Sequence, residues 1–204
     1  MTAISRARRG GASATLALLV ATGGCGGRGS GTEDVAPAAR VPAARPVGQV
    51  YVLEADGGPP ADTTVTFPAN SARVVVVRHP APDHAMFAEV AFDSASFAPG
   101  SGEVQVTIRP RPGVYGIDLE SSSGLRQATV TFKYAVHFLA PADARGRFGS
   151  DIAFERQLFV GALERDTVTY LPSTRPATDN LTAALPGPGS YIVSAPRDAE
   201  LPTP

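Results

Sequence analysis

The residues best equipped for chemistry in this chain sit in one short run, His79-Pro80-Ala81-Pro82-Asp83-His84. Imidazole and carboxylate are the groups that hold zinc and similar divalent cations. His79, Asp83 and His84 are therefore the candidate metal ligands, on a loop that two prolines restrict. A further ligand would have to come from elsewhere, and no zinc-type His/Cys spacing accompanies the three. Ordinary polar loop residues are the commoner origin of such a trio. His137, the remaining histidine, is expected on the polar face of a strand.

Other constellations are weaker. No Gly-x-Ser-x-Gly occurs, and the single cysteine lies near the N-terminus. Asp118 and Glu120 share a strand face, as carboxylates on solvated faces often do. Asp56-Gly57-Gly58 lacks the Asp-x-Asp-x-Asp-Gly pattern of a calcium loop and reads as a turn. The five tyrosines, Tyr51, Tyr115, Tyr134, Tyr170 and Tyr191, fall within expected strands and read as core or sheet-face residues, with a carbohydrate-stacking platform as the alternative. These observations point to a chain without a catalytic residue and without a cofactor.

The lone cysteine has a different chemistry on offer. Arg6, Arg8 and Arg9 make a cationic start, Ala12 to Ala21 is a short apolar run, and Thr22-Gly23-Gly24-Cys25 closes it with small residues. The run is far short of the ~20 residues that span a bilayer and has the layout of a secretory signal. With Cys25 where the small residues end, it resembles a bacterial lipoprotein signal. That resemblance implies that Cys25 becomes the first mature residue, carries the lipid and attaches the protein to a membrane. Thr22 stands where that family usually has an aliphatic residue, so an ordinary signal cut after Ala21 is the alternative. Gly26, rather than Asp, implies outer-membrane sorting where the cell has two membranes. Residues 26 to 47 are Gly, Ser, Pro and Ala with scattered charges and read as a flexible tether.

The rest of the chain must position these groups. It has 204 residues with a net charge of −1, room for one domain plus appendages, and gives no reason to expect nucleic acid as a partner. The strongest element is Leu125 to Leu139, in which Ala128, Val130, Phe132, Tyr134, Val136 and Phe138 alternate with mostly polar residues: a long half-buried strand. Gln49 to Ala55, Thr63 to Phe67, Met86 to Phe92, Glu103 to Arg109 and Val114 to Glu120 read as further strands. Ala72 to Arg78, with four consecutive valines, reads as a strand buried on both faces. Residues 142 to 150 read as a surface loop, and Asp151 to Gln157 as either a helical turn or a strand. Leu158 to Leu163 with Thr167 to Leu171 forms a hairpin, Ser173 to Asp179 is a loop, and Asn180 to Leu185 and Ser190 to Ser194 are short strands. The tail from residue 197 reads as disordered.

Many short strands between turns predict an all-β, Ig-like antiparallel β-sandwich over residues 48 to 196, with a closed barrel as the alternative. Thr66-Phe67-Pro68-Ala69, Gly113-Val114-Tyr115-Gly116, Phe132-Lys133-Tyr134, Leu171-Pro172-Ser173 and Gly189-Ser190-Tyr191-Ile192-Val193 recur in the order seen in a known module. The region resembles the β-sandwich shared by ankyrins, netrin receptors and tight-junction scaffolds. Pro68-Ala69-Asn70-Ser71 departs from that family's usual Pro-x-Gly-Ala. The resemblance implies an interaction role without a catalytic residue. Two functions follow as expectations, beside a hydrolase whose site would be assembled from distant loops. One is a non-enzymatic, lipid-anchored cell-envelope protein that presents the sandwich to an envelope protein or a glycan. The other is a soluble exported module that binds a metal or a carbohydrate.

Overall fold

The structure, a computed structural model, describes residues 40–199. Cys25, the signal segment before it and residues 26–39 of the expected tether lie outside the described residues, as do residues 200–204. Among the described residues no helix is long and apolar enough to cross a membrane.

The chain is an all-β antiparallel sandwich. In order, the strands are β1 (Arg45–Pro46), β2 (Val50–Val52), β3 (Glu54–Ala55), β4 (Thr63–Pro68), β5 (Arg73–Arg78), β6 (Met86–Phe92), β7 (Glu103–Pro110) and β8 (Gly116–Ser121). They continue with β9 (Ala128–Lys133), β10 (Phe138–Leu139), β11 (Phe159–Glu164), β12 (Thr167–Tyr170), β13 (Ser173–Ala177), β14 (Asn180–Leu185) and β15 (Gly189–Pro196). One sheet has the order β1-β12-β11-β15-β8-β7-β4, with β2 taking the C-terminal half of β15 where β8 leaves off. The other sheet is β13-β14-β9-β6-β5, and β3 pairs with β10 as a small separate ribbon.

Alternation in the sequence decides which face is buried. Val104, Val106 and Ile108 of β7 face inward, as do Val130 and Phe132 of β9, and all are 0% exposed. Phe67 of the first sheet meets Phe92 of the second at 5.5 Å between ring centroids, so aromatic side chains bridge the two layers. At Gly116 a Cβ would lie 2.9 Å from the Tyr191 carbonyl, so only glycine lets β8 and β15 approach this closely.

Several expectations are corrected. The strand expected over 125–139 ends at Lys133. Its ladder runs out there, because β6 pairs with β9 only as far as Phe132 and β14 only as far as Lys133. Residues 134–137 form a turn, which leaves Val136 64% exposed instead of inside. The four-valine strand is not buried on both faces: β5 is a sheet edge, with Val74 56% and Val76 37% exposed.

Residues 142–150 contain a helix, α1 (Ala142–Phe148), ended by Gly149 in the left-handed region at φ 78°. The ambiguous segment is a second helix, α2 (Asp151–Glu155), whose first turn is capped by the Ser150 hydroxyl accepting from the Ala153 N–H at 3.1 Å. The expected loop at 173–179 holds the edge strand β13. The folded region begins before residue 48, since β1 pairs with β12 through Arg45↔Val168. At the other end, the Arg197 N–H donates to the Gln49 carbonyl and the guanidinium lies 4.3 Å from the Tyr51 ring centroid, so residues 197–199 are held.

Candidate functional site

The loop His79–His84 connects β5 to β6, and the ladder closes beneath it with the His79 N–H donating to the Ala85 carbonyl at 2.8 Å. Asp83 does two things. Its Oδ1 accepts from the Ala85 N–H at 3.1 Å, an Asx turn that shapes the loop. Its Oδ2 lies 2.8 Å from His137 Nε2. The turn 134–137 thus reaches across to the loop, although 54 residues separate the partners in sequence.

His137 packs in turn on His79, with 4.1 Å between ring centroids and 42° between planes. His79 is 3% exposed. Phe87 and Tyr115 flank its ring edge-on, and neither of its nitrogens has a hydrogen-bond partner. The Tyr115 hydroxyl is likewise buried without a partner. Gly57 completes the wall: at φ +91° its missing Cβ would stand 3.3 Å from Cε1 and Nδ1 of His137.

The charges follow from this geometry. Burial holds the His79 pKa below the ordinary imidazole range, and the neighbouring His137 adds to the effect. The Gly58 backbone pulls the other way without closing a hydrogen bond to either ring nitrogen. Asp83 is held below the usual carboxylate range, first by the Ala85 N–H and also by His137. Burial pushes the Tyr115 phenol well up.

Of the three candidate ligands, the structure joins His79 and Asp83 through His137 and leaves His84 apart. His84 is exposed, at φ 49°, and contributes its carbonyl to Arg78 Nη1 at 3.1 Å. Among the described residues no group of three His, Cys, Asp or Glu is placed to hold a metal ion. The array Asp83–His137–His79 has the orienting half of an acid–base relay, a carboxylate fixing an imidazole. No hydroxyl among the described residues hydrogen-bonds either ring. What the array does is fasten the 79–84 loop to the 134–137 turn.

A second feature went unread in the sequence. Tyr134, Phe138 and Ile152 line a cleft of about 450 Å³ that also carries Asp151, Glu155 and Asp179. The Tyr134 hydroxyl donates to Glu155 Oε1 at 3.3 Å. Burial raises the Glu155 pKa, while Tyr134 and Arg175 oppose the shift. Arg175 Nη2 spans the Glu155 and Leu158 carbonyls at 2.8 and 2.6 Å, tying β13 to the end of α2. The signals for the helices are local: Gly149 stops α1, and Ser150 as a cap with Asp151 in the first turn opens α2.

Comparison of this chain with protein-family models, with curated proteins and with solved structures found no match.

Proposed function

We propose that this is a non-enzymatic, lipid-anchored protein of the cell envelope, in which a lipid on Cys25 attaches a β-sandwich to a membrane and the sandwich binds an envelope protein or a glycan. The observation that carries the reading is Cys25 itself, the one cysteine of the chain, at the point where the short apolar run and its small residues end. The composition of residues 26–39 adds support, because Gly, Ser, Pro and Ala make a chain segment suited to standing a domain off a surface. The imidazole array without a bonded hydroxyl favours binding over acyl transfer. The resemblance to the ankyrin and netrin-receptor sandwich points the same way, as an analogy of fold.

The test is fractionation with intact mass analysis, wild type beside Cys25→Ala. A membrane-bound form that begins at Cys25 with added acyl mass, lost in the variant, is the expected result. A wild-type protein that is released in soluble form and begins near Thr22 overturns it.

A further inference from the structure

Each sheet of a sandwich has two edges, and an unguarded edge is a template for another strand. Three of the four edges here carry a guard. β1 is two residues long and ends in Pro46. β13 contains Pro176, and its register shifts between Thr174 and Ala177. β4 turns Thr64 and Thr66 outward and ends in Pro68. The fourth, β5, has neither proline nor charge between Arg73 and Arg78. Its backbone makes no hydrogen bond outside the ladder to β6 among the described residues. Val74 and Val76 stand exposed on its outer face, beside Ala91 of β6, while Glu89–Lys133 and Thr131–Thr182 contacts make the face polar further in.

We propose that β5 is a strand-addition edge and that its occupant is β5 of a second copy of this chain, paired antiparallel about a two-fold axis through Val75. The sequence of the strand selects both the occupant and the register. Directly opposed residues of an antiparallel pair share a face. With Val75 opposite the partner's Val75, exposed Val74 meets the partner's Val76, and buried faces continue into buried faces. Arg73 then faces the partner's Val77, and Ala72 faces the partner's Arg78. A shift by one residue would set Arg73 against the partner's Arg78 and exposed Val74 against the partner's buried Val77, which costs both charge repulsion and burial. In the favoured register the partner's Arg78 lies on the outer face beyond Ala72, on the side where exposed Asp93 follows the Arg73–Phe92 pair. Its guanidinium complements that carboxylate.

The experiment uses the full chain with Cys25→Ala, so that introduced thiols are the only ones. A mixture of Val74→Cys and Val76→Cys chains should form disulfide-linked dimers on mild oxidation. Either chain alone should not, because equivalent residues are then offset along the strand beyond disulfide reach. Thr129→Cys, exposed on the same face two strands inward, is the background control. In sedimentation velocity the chain should show a concentration-dependent dimer, and exposed Val76→Lys should weaken it by about tenfold or more. A monomer at every concentration, cross-linking no greater than the Thr129→Cys background, a dimer indifferent to Val76→Lys, or equal cross-linking by Val74→Cys alone would each overturn the proposal. Capture of an unrelated strand peptide by a chain that stays monomeric would also overturn the second copy as occupant.

Discussion

The rings of His79 and His137 are 4.1 Å apart, and the one carboxylate among the described residues that reaches the pair, Asp83, is hydrogen-bonded to His137. His79 is therefore the imidazole with no anion of its own. Around it stand Phe87 from β6, Tyr115 just before β8, the Gly58 backbone from the neighbouring loop, and His137 from the turn. A positive charge on His79 would enter a buried site whose nearest carboxylate is already committed to His137.

The consequence is acid sensitivity with a defined window. An unfolded histidine titrates near ~6.5. In the folded chain burial first, and His137 second, lower the His79 pKa. The unfolded state thus takes its proton first, so the contribution is fully present above pH ~6.5 and is lost as pH falls below it. Urea unfolding midpoints at pH 8, 6.5 and 5 should fall on acidification in the wild type, and the fall should shrink in His79→Leu. Parallel curves for the two proteins would sink this account. Asp83, which the Ala85 N–H and His137 hold below the usual carboxylate range, also stabilises less in acid, but in a lower window that leaves the first one readable.

Tyr115 provides the complementary case. Its ring stacks on Phe87 at 5.0 Å and 9°, but its hydroxyl is buried without a partner. An unsatisfied buried polar group costs about 1–3 kcal/mol. Tyr115→Phe keeps the stack and removes the orphan, so we expect a gain of about 1 kcal/mol, or roughly 2–4 °C in Tm for a chain of this size. A loss of similar size would mean that the hydroxyl has a partner, such as a bridging water to His79.

What could be read in the sequence follows from how far each cause lies along the chain. The inward faces of β7 and β9 were legible because alternation is local: Val104, Val106 and Ile108 announce their face by themselves. The end of β9 was not, because Tyr134, Val136 and Phe138 continue the same alternation after the neighbouring strands have stopped. Edge or centre was illegible for β5, since four valines suit either and strand order decides. The loop holding His79 and Asp83 was found from its residue types, whereas the partner that joins them, His137, lies 54 residues beyond Asp83. The signals Gly149, Ser150 and Asp151 are local; they leave a helical turn open over Asp151 to Gln157, while the Gly- and Arg-bearing composition of residues 142–150 reads as a loop.

Gly57 tests the wall of the imidazole pair. It sits at φ +91°, and a Cβ there would be 3.3 Å from the His137 ring. Gly57→Ala should cost about 1–3 kcal/mol from the backbone conformation alone. It should also displace the His137 ring, which the imidazole proton shifts would report. Unchanged shifts with full stability would show that the loop relaxes freely and that the packing on His137 is loose.

Glu155 gives a pH response of the opposite sign. Burial raises its pKa above the 4.5 of a free side chain, against the pull of Tyr134 and Arg175. A raised carboxylate penalises the folded state above its unfolded pKa, and the penalty disappears as pH falls through the raised value. Glu155→Gln removes the charge while its amide oxygen can still accept from the Tyr134 hydroxyl. The Arg175 contacts to the Glu155 and Leu158 carbonyls use backbone oxygens and survive the change. Tm of Glu155→Gln should therefore exceed that of the wild type at pH 7, and the two should converge by pH 4. A variant less stable than the wild type at pH 7 would show that the field of Arg175 outweighs burial, and that the carboxylate stabilises the junction of α2 with β13.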